Sequence, residues 1–173
     1  MILGPMSSND DSKREISLYP DILRWLQGFL ESKHPKSEIK THDVHSVDLS
    51  DFLERNGYKR FFPEYATYKI RVDLIGIIKG KNSCNLVFVE VKDKQLSLIN
   101  LSQLLGYCKI LKPEFAFLIS PKGMAKPLSQ LLLHFNRLDI LEFDNNKYIR
   151  VAKWNASRNA IENDSVVPPF SFK

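Results

Sequence analysis

The sequence predicts an α/β domain, a mixed sheet flanked by helices, and three observations carry that prediction. The first is a pair of strand-like runs, Ile70-Arg71-Val72-Asp73-Leu74-Ile75-Gly76 and Leu86-Val87-Phe88-Val89-Glu90-Val91-Lys92, apolar except for a few charged residues. The second is apolar spacing of three to four residues in two other stretches, the mark of helices that bury one face. The third is the order of these signals, helix, strands, helix, strand, helix, which suits a sheet with helices packed against it.

Ile16, Tyr19, Leu23, Leu26 and Leu30, joined by Ile22, Trp25 and Phe29, predict a first helix that stops near His34-Pro35, with Pro20 in its first turn or kinking it. Trp25 and Phe29, at helical spacing, read as core. Residues 37–47 suit a strand, and Val47 to Gly57 a short helical or irregular connection. A long strand from about Tyr68 to Ile78 follows. Lys79-Gly80-Lys81-Asn82 then turns the chain into a central strand from Asn85 to Lys92. That strand is nearly continuous in β-branched and apolar residues, as expected for one covered on both faces. Ser97 to Leu111 predicts a second helix ended by Pro113, Glu114 to Ser120 a buried strand, and Pro127 to Arg137 another helix. Ile140 to Phe143 and Tyr148 to Ala152 are the closing strands. Residues 1–11 read as a disordered lead-in, 12–152 as a single domain, and 153–173 as a weakly ordered tail whose Phe170 and Phe172 are able to dock.

Composition narrows the function classes. At 173 residues, one domain with a sizeable core suffices. The net charge of +5 favours an anionic partner. Lys33, Lys36, Lys40, Arg55, Lys59, Arg60, Lys69 and Arg71 precede or enter the first charged strand, which suits a phosphate backbone; scattered surface charge is the plainer reading. Cys84 and Cys108 lack metal-ligand spacing and read as free thiols of a reducing compartment. His34, His42, His45 and His134 form no ligand pattern and read as surface or packing residues. No signal-peptide core and no bilayer-length apolar run are present, so a cytoplasmic protein with no membrane partner is expected. Nothing points to a small-molecule cofactor. Tyr65 and Tyr68 either pack beneath the strands or stack on bases, with packing the leading reading.

The chemistry concentrates on the two charged strands. A buried carboxylate is costly unless it is paired or holds a metal. Strand alternation places Glu90 and Lys92 on one face with Val91 turned away, and the hairpin brings Asp73 alongside. Asp73 and Glu90 suit a hard divalent ion, the Val91 carbonyl offers a third oxygen, and Lys92 is placed to orient or deprotonate a water beside a phosphate. The structural alternative is an ion-pair network in which Lys92 serves Glu90 and Arg71 neutralises Asp73.

Asp73 followed after a hairpin by Glu90-Val91-Lys92 resembles the signature of the PD-(D/E)XK nuclease superfamily, and the resemblance spans roughly Glu15 to Ser120. Val72 stands where the proline that names the motif would be. Gln103-Leu104-Leu105-Gly106-Tyr107, on the helix after the lysine, is similar to the QxxxY element of RecB-like nucleases. Restriction endonucleases and archaeal Holliday-junction resolvases share the core. The resemblance implies a restriction-endonuclease-like αβββαβ core, with Asp73 and Glu90 holding Mg2+, Mn2+ standing in for it, and Lys92 assisting the water. It also implies that Gln103 and Tyr107 border the DNA site, with Lys69 and Arg71 as further contacts. Many members carry a first-helix glutamate before a Leu-Tyr-Pro-like stretch, and Glu15 before Leu18-Tyr19-Pro20 looks similar. Ser12-Lys13-Arg14-Glu15 is equally a capping box in which Glu15 only satisfies a helix start, and Glu64 is the substitute ligand. The expectation is a magnesium-dependent DNA endonuclease, a homodimer if it cuts both strands, of the restriction, resolvase or repair kind. The alternatives are a nucleic-acid-binding module on the same fold that has ceased to cut, and an interaction subunit engaging a protein through its Pro168-Pro169 tail and apolar edges.

Overall fold

The computed structural model describes residues 8–172. They form an α/β protein with a mixed, open, seven-stranded sheet and four α-helices. Helix α1 (Ser8–Lys33) leads into β1 (Glu38–Asp43), α2 (Leu49–Arg55), β2 (Leu74–Lys79), β3 (Cys84–Val91), α3 (Leu98–Leu111) and β4 (Phe115–Ser120). Helix α4 (Lys126–Ser129) widens into a π-helical turn before β5 (Glu142–Asp144), β6 (Lys147–Asn155) and β7 (Ala160–Ile161). The strand order is β1-β2-β3-β4-β6-β5, with β7 on β6. β1, β2 and β3 run antiparallel to their neighbours in that group, whereas β3–β4 and β4–β6 are parallel. The parallel joins need crossovers, and α3 supplies the first of them.

Side-chain alternation divides the core into two layers. Leu74 and Ile78 of β2 and Val87, Val89 and Val91 of β3 pack with Ile22, Leu26 and Leu30 of α1. Ile75, Ile77, Leu86 and Phe88 face the opposite way, toward Phe52 and Leu53 of α2 and Leu101, Leu104 and Cys108 of α3. The central strands are therefore covered on both faces, as their unbroken apolar sequence requires. Gly76 lets α1 sit close. A Cβ there would lie 2.7 Å from Leu30 Cδ1 and 3.1 Å from Val87 Cβ.

Local chemistry sets the boundaries. In the hairpin between β2 and β3, the Gly80 N–H donates to the Ser83 carbonyl at 2.9 Å. Helix α3 begins at a capping box in which Ser97 Oγ accepts from the Asn100 N–H while Asn100 Oδ1 accepts from the Ser97 N–H. It ends at Lys112, whose φ of 45° is left-handed, just before Pro113.

Several expectations need correction. α1 begins at Ser8, so residues 8–11 are helical; the rest of the expected lead-in lies outside the described residues. Pro20 is inside α1, well past the first turn. The strand expected from Tyr68 starts only at Leu74, because residues before it cap α2 instead: the Tyr68 and Ile70 carbonyls accept from the Ser50 and Leu49 N–H groups. The tail expected from Lys153 is an integral part of the domain. Lys153 to Asn155 complete β6, Trp154 is 1% exposed, and Val167 exchanges backbone hydrogen bonds with Val151. Phe170 and Phe172 dock against Phe29, with ring centroids 6.0 and 5.5 Å away. That segment is polar and rich in proline, but its few apolar residues complete a layer built from distant parts of the chain.

Cys84 and Cys108 are buried free thiols. Burial pushes the Cys84 thiol up to about 11 and raises Cys108 as well, so neither is a ready nucleophile. No helix among the described residues is long and apolar enough to cross a membrane.

Candidate active site

At the end of β3 the two helical layers meet around one ammonium group. Lys92 Nζ lies 2.8 Å from Glu90 Oε1, 3.4 Å from Glu15 Oε1 and 3.6 Å from Asp73 Oδ2. Glu90 ends the buried part of β3 on the same side as Phe88, and two-residue alternation returns Lys92 to that side. The Lys92 N–H continues the parallel ladder by donating to the Ile119 carbonyl at 2.9 Å, which fixes the lysine backbone although it lies beyond the strand. Asp73 immediately precedes β2. Its carbonyl accepts from the Val44 N–H at 2.9 Å, and its Oδ2 accepts from the Val91 N–H at 2.8 Å. A residue outside the ladder is thus pinned to both neighbouring strands.

Glu15 comes from the first half of α1 and reaches the cluster across the end of the sheet. Because α1 starts at Ser8, Glu15 is an interior helix residue and the capping-box reading fails. Glu64, the substitute, lies on an exposed turn before Tyr65.

The charge balance is uneven. Three carboxylates share one ammonium whose side chain is 15% exposed. Burial, together with Asp73, raises Glu90 to about 7 in spite of the Lys92 contact. Burial raises Glu15 too, with Lys92 opposing it and Asp73 adding to it. Burial works against the Lys92 charge, yet the surrounding carboxylates outweigh it and hold the ammonium more firmly protonated than usual. Glu90 moves up mainly through burial with the Asp73 charge beside it, whereas Lys92 moves up against burial, through the carboxylates around it.

Tyr19 is a member of the site that the sequence hid. Its apolar spacing marks it as a core residue of α1, and it is 2% exposed, but its hydroxyl also hydrogen-bonds to Asp73. Burial and the nearby Asp73 and Glu15 charges raise this phenol, so it stays a donor. The sequence signals were its place four residues after Glu15, one turn along the same helix face, and its position in the Leu18-Tyr19-Pro20 stretch that follows that glutamate.

The other expected site residues do not join the cluster. Arg71 Nε donates to Asp48 at 2.8 Å rather than neutralising Asp73. Lys69 Nζ bonds Ser50 Oγ at 2.9 Å and lies 3.6 Å from Asp51. Both side chains serve the start of α2, whose first N–H groups and carboxylates are partnered by the segment before β2. Gln103 Nε2 donates to Tyr107 Oη at 3.1 Å, one helical turn away, and no described hydrogen bond links either to Asp73, Glu90 or Lys92. α3 buries Leu101, Leu104 and Cys108, which turns Ile99, Gln103 and Ile110 outward, with Ile99 78% exposed.

A polar cleft of about 250 Å³ opens beside the cluster, lined by Glu15, Lys92, Asp93, Lys94, Asn100 and Lys122 among others. Buried Ser120 ties two of its lining residues together, donating to the Lys94 carbonyl at 2.7 Å while accepting from the Lys122 N–H at 3.0 Å. A larger, mainly apolar cavity of about 480 Å³ lies between the π-helical turn, β6 and the C-terminal segment, and none of the charged cluster lines it.

Protein-family models, curated proteins and solved structures offer no match to this chain.

The donor chemistry therefore has to speak for itself. Glu15, Asp73 and Glu90 form an all-oxygen set suited to a hard divalent cation, and their surplus charge is what such an ion would neutralise. In the arrangement described, the Lys92 ammonium takes that part. Among the described residues no group of three or more His, Cys, Asp or Glu is spaced to grip a metal.

Proposed function

We propose that this protein is a magnesium-dependent nuclease that hydrolyses phosphodiester bonds in DNA, most simply as an endonuclease. The observation that carries the reading is the lysine held among three carboxylates from α1, the entry to β2 and the end of β3. Such a cluster is expensive to bury, and an ordinary structural ion pair needs only one carboxylate. The order of elements around it supports the resemblance to the αβββαβ core of the PD-(D/E)XK superfamily, with α2 inserted after the first strand.

Asp73 and Glu90, with Glu15 and the Val91 carbonyl, are the groups that would hold Mg2+, with Mn2+ as substitute. A divalent ion bound there would supply charge neutralisation for the phosphate and lower the pKa of a water. The Val91 N–H and the Tyr19 hydroxyl fix the Asp73 carboxylate, so its position costs no reorganisation when substrate arrives. Lys92 would orient the attacking water and offset charge on the phosphate. The cleft past Glu15 gives the strand a path beside Lys94 and Lys122.

A second reading, a DNA-binding module on this fold that does not cut, draws on the ammonium already sitting among the carboxylates and on the absence of a preformed three-residue metal grip among the described residues. The test is cleavage of labelled single-stranded, linear, branched and supercoiled DNA with Mg2+, Mn2+ or chelator. Cleavage is expected with either metal and not in chelator. Asp73→Asn and Glu90→Gln are expected to lower it on the order of 10³-fold while keeping the fold, since each removes one charged group at the reacting centre. DNA binding without cleavage in any metal would select the second reading.

A further inference from the structure

Histidines occur at four positions, and their surroundings differ sharply. His34 and His42 have buried Nε2 atoms without a hydrogen-bond partner, and His134 lies against Phe135 with ring centroids 4.9 Å apart. His45 alone of the four is tied to a carboxylate among the described residues: its Nδ1 lies 2.6 Å from Asp43 Oδ1. The same Asp43 oxygen accepts the His45 backbone N–H at 3.2 Å, so ring and backbone are clamped together.

That clamp stands next to the charged cluster. Asp43 is the last residue of β1 and pairs with Leu74, the residue after Asp73. Val44, between Asp43 and His45, donates its N–H to the Asp73 carbonyl at 2.9 Å. Tyr19, whose hydroxyl bonds Asp73, turns its ring toward the imidazole, with centroids 5.6 Å apart and planes at 60°. The His45 side chain is 36% exposed, so it is both held and accessible. It does not line the Glu15–Lys122 cleft, and approaches the cluster from the β1 side instead.

We propose that His45 is a substrate contact, its Nε2–H donating to a phosphate oxygen of the DNA strand cut at the Asp73–Glu90–Lys92 cluster. The inference rests on reading that cluster as a phosphodiester-hydrolysing site. With both nitrogens protonated, the ring donates from Nδ1 to Asp43 and from Nε2 to the phosphate. Asp43 orients the ring, and its own charge is taken up by the two N–H groups it accepts, so it does not confront the phosphate bare. The cleft lysines and His45 would thus hold the strand from two sides of the cluster.

The experiment compares the parent with His45→Ala, His45→Gln and His45→Asn on the DNA that the parent cuts best with Mg2+, measuring kcat and KM separately. Thermal melting verifies each fold. A glutamine amide reaches the position of Nε2, whereas an asparagine amide reproduces only Nδ1 and its bond to Asp43. His45→Ala is expected to raise KM about tenfold with kcat within about twofold, the loss of one charge-assisted phosphate bond. His45→Gln should recover most of that loss and His45→Asn little of it. The Kd for the same DNA in chelator, read on the Asp73→Asn background, should shift in parallel. A parent-like KM in His45→Ala, or recovery by asparagine in place of glutamine, would overturn the inference and leave the nuclease reading standing. If the parent neither binds nor cuts DNA, the nuclease reading fails and His45 loses its role with it.

Discussion

The two halves of α1 lie against the same sheet and do opposite things. The first half brings Glu15 and Tyr19 to the end of β3, where Lys92 faces more negative charge than it balances. The second half brings Trp25 and Phe29 to Phe115 and Phe117 at the other end of the layer, and Phe170 and Phe172 close over them. Aromatic pairs of this geometry stabilise beyond the area they bury. A buried carboxylate cluster does the reverse unless something charged arrives to complete it. The lesson is a division of labour along one helix, in which the aromatic half anchors the segment that the charged half strains.

The largest effect expected from breaking this comparison is at Phe29, which is 5% exposed and touches Trp25, Phe115, Phe117, Phe170 and Phe172. Phe29→Ala should cost about 3–5 kcal/mol of unfolding free energy. Urea denaturation measures it, and kcat per folded molecule should stay unchanged at low temperature. A fall in kcat as large as the fall in stability would mean that the halves of α1 are not separable.

The next effect is a pH dependence that belongs to the charged half alone. Glu90 is raised to about 7 in the folded chain and titrates near the ordinary carboxyl range when unfolded. Between those values the folded state holds a proton that the unfolded state has released, so stability falls as pH rises through that window and levels off above it. In chelator, melting from pH 5 to pH 8 should show a decline on the order of 1–3 kcal/mol. Glu90→Gln removes the most strongly raised carboxyl and should make the decline shallower, leaving the part that belongs to Glu15, whereas Phe29→Ala should only shift the profile downward in parallel. A profile that rises with pH in the parent would contradict the charge balance described for the site.

How much of this was readable beforehand follows the range of the interactions. The hairpin, β3, β4 and α3 were legible because their signals are local: an apolar run, a turn, a proline stop. Asp73, Glu90 and Lys92 were legible because a hairpin and a two-residue period suffice to bring them together. The ordering of the C-terminal segment was not, since Phe170 and Phe172 find their partners in Phe29, far along the chain. Gln103 and Tyr107 matched a pattern by spacing, but which stripe of α3 turns inward depends on the sheet it meets; the burial of Leu101, Leu104 and Cys108 leaves Gln103 exposed, bonded to Tyr107, where the spacing alone could not say whether it would join the cluster. Arg71 shows the same limit for charges: the choice between Asp48 and Asp73 was made by the fold of a loop.

Tyr19 sits at the boundary between the two halves and gives the smallest but sharpest test. Its ring belongs to the apolar layer with Ile22 and Leu26, and its hydroxyl to Asp73. Tyr19→Phe keeps the ring and deletes one donor, so Asp73 retains the Val91 N–H but loses the group that holds it from the α1 side. The cost in stability should be about 1 kcal/mol, the net worth of one buried hydrogen bond. If the hydroxyl positions Asp73 for catalysis, the cleavage rate should fall about 5–10-fold, in kcat more than in KM, and the Mg2+ concentration for half-maximal rate should rise. A stability loss with unchanged kcat and metal dependence would move the boundary toward the N-terminus of α1, leaving Glu15 as the contribution of that helix to the site and Tyr19 as the first residue of its anchoring half.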